Sequence, residues 1–171
     1  DWGILVDLSH ASDPTCWHAL EVSTKPIMAT HTKCRSLTGS SRDLSDELIR
    51  AIADTGGVVG ILAPAPRTSD ERGEYRLQRD RRLMENYPDP FDLAEAKLAD
   101  AETWGTRLDL ESIDHAVRVA GIDHVGLASH FQNVPQWREF TTALMDHDYK
   151  EEEAAKILGG NHLRVLRETI D

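Results

Sequence analysis

The chain has 171 residues, 40% of them hydrophobic and 29% charged, enough for one domain with a sizeable core, so disorder is excluded as the starting assumption. Its 19 Lys and Arg against 30 Asp and Glu leave a formal net charge of −11, and no basic stripe with interleaved aromatics offsets it, which speaks against a nucleic-acid or anionic-membrane partner. No apolar stretch approaches the roughly 20 residues that span a bilayer. Cys16 and Cys34 are too few for a disulfide framework and read as free thiols, a single bridge between them being the alternative.

Taken in chain order, the first element is the apolar run "GILVDL", Gly3 to Leu8, which reads as a strand and leads into His10. The second is "PIMAT", Pro26 to Thr30, followed at once by His31. A helix is expected next, because Leu44, Leu48 and Ile52 recur at helical spacing behind Asp43 and Ser45 as candidate caps, and "TGG", Thr55 to Gly57, should stop it. Gly57 to Ala63 reads as a third strand. The charged, strand-free stretch from Pro66 to Arg107 carries helical patterns around Tyr75 to Asn86 and Phe91 to Trp104; it is too long for a crossover loop and reads as a helical insertion (66–107). Leu110, Ile113, Val117 and Ala120 repeat at helical spacing behind Asp109 and should end at Gly121, and His124 to Ser129 forms a fourth strand running into His130.

These strand runs are continuously apolar and rich in Val, Ile and Leu, the pattern of strands covered on both faces of a parallel sheet. Strands alternating with helices give an α/β class with a parallel sheet. Four such units would be half of an eight-stranded barrel.

In a parallel β/α protein the strand C-termini share one rim, and the loops leaving them build the active site. His10, His31 and His130 are therefore expected to converge there. A single histidine at a strand end reads more readily as a polar residue satisfied locally; three at equivalent ends favour a metal or catalytic role. Three imidazoles and an open fourth position would let zinc lower the pKa of a bound water towards about 7. His18, His115, His147 and His162 lie in helical patterns among charges and read as surface or helix-packing residues, while His124, at the start of a strand, reads as structural.

Five segments, in order, carry a family resemblance: "VDLSH" (Val6 to His10), "THTKCRSLTGSSRDLSDELI" (Thr30 to Ile49), "GGVVGI" (Gly56 to Ile61), "GIDHVGLASHF" (Gly121 to Phe131) and "KILGGNHLRVLRE" (Lys156 to Glu168). Together they resemble the C-terminal half of the membrane (renal) dipeptidase family of zinc peptidases. The resemblance implies a metal-dependent (β/α)8 barrel that hydrolyses dipeptides, often with tolerance for a D-residue at the C-terminal position. It implies a binuclear zinc site built from a His-x-Asp pair, a bridging Glu and two histidines. His10 matches the histidine of the family's "DLSH" and His31 that of its "SHS", here "THT"; both would bind the second zinc. Arg42 matches the arginine of its "RN", here "RD", and would hold the substrate carboxylate; a helix-start salt bridge with Asp43 or Asp46 is the other reading of Arg42.

The departures carry equal weight. The His-x-Asp pair, the bridging Glu and a further substrate-binding histidine belong to the family's N-terminal half and have no counterpart here. The family's "DFDG" reads "HFQN", so His130 stands at an aspartate position. There it would face the substrate amine or relay a proton to the leaving nitrogen, a catalytic and substrate-binding role. Counting histidines instead makes it a third zinc ligand. The expectation is zinc-dependent hydrolysis of dipeptides or related small amides, with this chain supplying half of the barrel and a separate N-terminal half-barrel chain, or a second copy, supplying the rest. The alternatives are a mononuclear three-histidine metal hydrolase and a catalytically inactive half-barrel subunit or fragment.

Overall fold

A computed structural model describes residues 3–63, 78, 80–96, 109–129 and 135–170. Three parallel strands, β1 (Met28–Thr32), β2 (Val58–Ala63) and β3 (Val125–Ser129), lie side by side in chain order. β2 is buried at every position and β3 at all but its last, which is why both read as unbroken apolar runs.

The helices with sharp boundaries are those with caps in the sequence. α1 (Asp13–Val22) and the single turn α2 (Arg35–Thr38) flank β1. α3 (Asp46–Asp54) starts at Ser45, whose hydroxyl accepts the Leu48 N–H at 3.3 Å, and stops at Thr55. α4 (Leu110–Ala120) starts at Asp109, whose carboxylate accepts the Ser112 N–H at 3.2 Å, and stops at Gly121. α5 (Pro135–Asp146) and α6 (Glu151–Ala155) follow, and a π-type turn, Lys156–Gly160, leads into α7 (Asn161–Ile170). Of the expected insertion (66–107), the described residues are helical over 80–86 and 90–96; its other residues, 78 and 87–89 apart, lie outside the described set.

Consecutive strand residues face opposite sides of the sheet. Val59, Ile61, Val125 and Leu127 pack with Ile49 and Ile52 of α3 and Ile113 and Ala116 of α4, while Met28 and Val58 pack with Val165 of α7. α7 approaches so closely that a Cβ on Gly126 would sit 2.0 Å from His162 Cε1; only a glycine lets that ring lie on the strand. Lys33, fully buried just past β1, reaches Asp109 Oδ2 at 2.5 Å and ties the sheet to the start of α4. Burial alone would raise the Asp109 carboxyl; the hydrogen bond and charge of Lys33 outweigh it and hold it below the ordinary range.

The sequence reading gives four strands; among the described residues the sheet has three. Gly3 to Leu8 contributes a single parallel bridge, Asp7 to Met28, with hydrogen bonds from Met28 N to Val6 O (3.0 Å) and from Leu8 N to Met28 O (2.8 Å). The next ladder bond would run from Thr30 N to the Leu8 carbonyl. Thr30 N instead donates to the Asp7 carboxylate at 2.9 Å, and Leu8 O accepts from Ala11 N at 3.1 Å as the chain turns. A side chain has taken the place of the backbone acceptor, so the ladder ends there. Cys16 and Cys34 are both buried and unbridged, and burial, with nearby carboxylates, pushes the Cys34 thiol up to about 12.

Candidate functional site

At the C-terminal end of β1 the register slips: Ala29 stands opposite Val59, but Thr32 stands opposite Ile61. The extra residue on β1 is a bulge, the device that re-aims a side chain at a sheet rim. Thr30 and His31 occupy it. On the neighbouring segment, Ser9 and His10 form a turn in which His10 takes a left-handed backbone (φ 66°), costing a non-glycine residue on the order of 1 kcal/mol. Bulge and turn throw two imidazoles together. The rings meet edge to face, centroids 4.9 Å apart, with the two Nε2 atoms at 2.9 Å.

Arg42 completes the cluster. Its Nη2 donates to His10 Nε2 at 3.0 Å and its Nη1 to Asp43 Oδ1 at 3.3 Å. Asp43 is buried, with its other oxygen accepting from Thr38 Oγ1 at 2.7 Å, so it is a fixed anchor for the guanidinium. The salt-bridge reading of Arg42 is realised in its pair with Asp43, and the guanidinium still presents a part-exposed edge beside the imidazoles. Asp46 is not its partner; that carboxylate bonds His115 and Ser36.

Behind His31 lies a set of groups that the sequence reading did not single out. Thr30 Oγ1 contacts His31 Nδ1 at 3.0 Å and donates to Asp7 Oδ2 at 2.6 Å. Ser9 Oγ accepts the His31 backbone N–H at 2.9 Å and touches Thr30 Oγ1 at 3.1 Å. Burial would raise the Asp7 carboxyl, but the hydrogen bonds it receives from Thr30 and Ser9 prevail and lower it. The available signal was local: Asp7 and Ser9 precede His10 in "DLSH", and Thr30 precedes His31 in "THT".

The pair suits a transition metal in part. The two imidazole nitrogens lie 2.9 Å apart, and a tetrahedral zinc with bonds of about 2.0–2.1 Å would hold them about 3.3 Å apart, a few tenths of an ångström wider than here. Two ligands are fewer than a zinc site takes, and among the described residues no group of three or more His, Cys, Asp or Glu is placed to hold a metal. His130 lies outside the described residues. Elsewhere Ser36, His115 and Asp46 have the composition of a nucleophile triad but not its geometry. Ser36 Oγ (2.9 Å) and Asp46 Oδ1 (2.8 Å) meet the same nitrogen, Nε2, whereas a relay needs one partner on each ring nitrogen. His124 Nδ1 binds Gly57 O at 2.8 Å, a structural contact as expected. Among the described residues no helix is long and apolar enough to cross a membrane.

With this geometry in place, comparison with known proteins is informative. The model of the membrane dipeptidase family (peptidase family M19) matches residues 1–171. The dipeptidase ataJ of Aspergillus terreus is 29% identical over 182 residues, covering 99% of this chain and 37% of that protein. A crystal structure of the probable dipeptidase PvdM from Pseudomonas aeruginosa aligns with a TM-score of 0.71 at 25% identity, over 98% of this chain and 51% of that one. A metallopeptidase from Rhodobacter sphaeroides, liganded with a phosphinate mimic of the dipeptide L-Ala-D-Ala, aligns with a TM-score of 0.72 at 22% identity, over 98% of this chain and 43% of that one, a likeness of fold. The chain thus spans between about a third and a half of the length of these relatives.

Proposed function

Because this chain belongs to the membrane dipeptidase family, we propose that it supplies one half of a metal-dependent hydrolase of dipeptides or related small amides. The observation that carries the reading is the meeting of His10 and His31 beside Arg42 at one end of the parallel strands. His10 and His31 would hold a metal, zinc by the family resemblance, as part of a binuclear site. When bound, such a metal polarises a carbonyl and supplies an activated water near neutral pH. Arg42, anchored by Asp43, would bind a substrate carboxylate through the guanidinium edge it turns towards the imidazoles, a fork suited to that anion. His130 would face the substrate amine or the leaving nitrogen.

Two imidazoles fall short of a full ligand set, so further ligands would have to complete the site. Residues 1–171 would then be the C-terminal half of a (β/α)8 barrel, with residues 66–107 as an insertion. The partner is a complementary N-terminal half-barrel, or, as the weaker choice, a second copy of this chain. Exposed apolar side chains fit that role: Ile4 and Val6 on the segment beside β1, and Leu163, Leu166 and Ile170 on α7. A second reading, a catalytically silent half-barrel subunit, is favoured by the two imidazoles of the site being fewer ligands than zinc takes. Elemental analysis with native mass spectrometry of the complex purified through a tag on this chain separates the two. About two zinc ions with a second, different chain, and release of amino acids from dipeptides, is the expected result. A metal-free species made of this chain alone would sink the catalytic reading.

A further inference from the structure

His10, His31 and Arg42 come from three segments: the turn after Leu8, the end of β1, and the loop that runs from Gly39 into α3. The first two are joined directly, by the bonds that the Thr30 and His31 N–H groups make to Asp7 and Ser9. The third is tied in through one guanidinium. Arg35 lies four residues past His31, and its planar head offers donors along two edges. The end edge forks onto the Asp13 carboxylate, Nη1 at 2.7 Å and Nη2 at 2.6 Å. Along the side edge, Nε donates to the Asp43 carbonyl at 2.8 Å and Nη2 to the Ser41 carbonyl at 3.4 Å. Asp13 opens α1 three residues after His10, and the two carbonyls flank Arg42. One side chain thus grips the chain beside two of the three site residues and is itself rooted beside the third.

From this we infer that Arg35 and Asp13 are positioning residues: the Arg35 guanidinium locks the Arg42 loop to the start of α1 and so sets the Arg42 edge against His10. The contact it serves is the 3.0 Å bond from Arg42 Nη2 to His10 Nε2. Asp43, the anchor of the other Arg42 nitrogen, is pinned twice, through its carboxylate by Thr38 and through its carbonyl by Arg35. The loop itself is a poor source of rigidity. It leaves α2 through Gly39 in a left-handed conformation (φ 65°), and the Arg42 N–H donates to a side chain, Ser40 Oγ, at 3.3 Å. The hydrogen bonds from Arg35 hold the Asp13 carboxyl below its ordinary range, so the pair is ionised at neutral pH. A lysine at 35 would keep the charge, but its single nitrogen cannot serve both edges. The value of this tie to a substrate rests on the reading of Arg42 as a carboxylate clamp; the placement of Arg42 does not.

The test uses the isotope-labelled 171-residue chain and two NMR readouts beside a melting curve. One is the nuclear Overhauser contact between carbon-bound protons of the Arg42 side chain and of the His10 ring; the other is the affinity for acetate, followed at the Arg42 Nε–H signal. The wild type should show the contact and bind acetate, and so should the conservative variant Asp13→Glu. Arg35→Lys should lose the contact and bind acetate about 3–10-fold more weakly, because the guanidinium is no longer held ready, while the thermal midpoint falls by only a few degrees. The exchange variant Asp13→Arg with Arg35→Asp restores an ion pair but not the two carbonyl bonds, and should behave like Arg35→Lys. A wild type without the contact overturns the proposal, as does an Arg35→Lys chain that keeps it or an exchange variant that matches the wild type. A wild-type Arg35 Nε–H that exchanges with water as fast as an exposed one also overturns it, even if no variant folds. Acetate that leaves the Arg42 signal unmoved in a wild type with the contact sinks the clamp reading and leaves the tie standing. Acetate that binds Arg35→Lys as tightly as the wild type sinks the tie and leaves the clamp.

Discussion

The two ends of the parallel sheet treat their polar side chains in opposite ways. At the N-terminal ends of the strands these side chains close on backbone carbonyls: Asn161 Nδ2 donates to Ile122 O (2.8 Å) and Val125 O (2.7 Å), and Arg164 donates to Gly56 O (2.7 Å) and Asp123 O (2.9 Å). At the C-terminal ends side chains meet side chains, and two ring nitrogens face each other beside a guanidinium. Groups matched to fixed backbone acceptors have nothing left to offer a ligand. Groups matched to other mobile side chains are available for exchange. On the proposed reading, stability lies at one end and chemistry at the other, as in β/α folds generally.

The comparison is broken most severely by removing an imidazole. His10→Gly, which suits the left-handed backbone there, and His31→Ala should each weaken zinc binding by more than about 100-fold, beyond the range for an outer partner, with the thermal midpoint nearly unchanged. Calorimetric zinc titration beside a melting curve checks both. A variant that lost its fold together with its zinc would show that the rim is structural after all. Arg42→Lys is the next largest effect. A lysine keeps the charge but loses the fork that engages Asp43 and an incoming carboxylate, so KM for a dipeptide, in the complex with its other half, should rise about tenfold or more, corresponding to a charge-assisted bond of about 1.5–3 kcal/mol. An unchanged KM would remove Arg42 from substrate binding.

At the opposite end, Asn161→Ala should do the reverse. It leaves two carbonyls without their side-chain donor in a buried position, costing about 1–3 kcal/mol and lowering the thermal midpoint by several degrees. Zinc affinity should stay at the wild-type level. A matching loss of zinc binding would mean that the two ends are coupled, and the division drawn above would fail.

How much of this was legible in the sequence follows the same division. β2 and β3 were readable because their apolar runs are continuous and buried, and α3 and α4 because Ser45 and Asp109 cap them and Gly56 and Gly121 follow their last turns. His10 and His31 were singled out as histidines that follow apolar runs, and Arg42 through a motif; the structure sets the three side by side. The failed first strand was not readable, because apolar patterning cannot tell that the Asp7 carboxylate will displace a backbone acceptor on a segment more than twenty residues away. The bulge at Thr30 and His31 was hidden for a related reason: it is a property of two paired strands. Asp7, Ser9 and Thr30 were passed over because their partners lie across that pairing, and a hydroxyl or carboxylate near a histidine has meaning only once its acceptor is known.

The smallest predicted effect tests whether the structural end carries a titration of its own. His162 lies on Gly126 and near Gly60, and burial lowers its pKa from the ordinary 6.5. The folded ring therefore resists protonation, while the same residue in the unfolded chain accepts a proton at its ordinary pKa. Between the lowered value and 6.5 the unfolded state binds more protons, so stability rises with pH through that window. This contribution is fully present above about pH 6.5 and fades as the pH falls below it. The lowered carboxyls of Asp7 and Asp109 act in a separate window, stabilising above their ordinary 3.8 and failing as the pH drops through their lowered values. Denaturant unfolding between about pH 5 and 8 should show a shallow loss of stability on the acid side in the wild type and a flatter profile in His162→Gln. If both profiles have the same slope, the buried ring at the structural end is silent, and any pH response of the fold in this range must come from elsewhere in the chain.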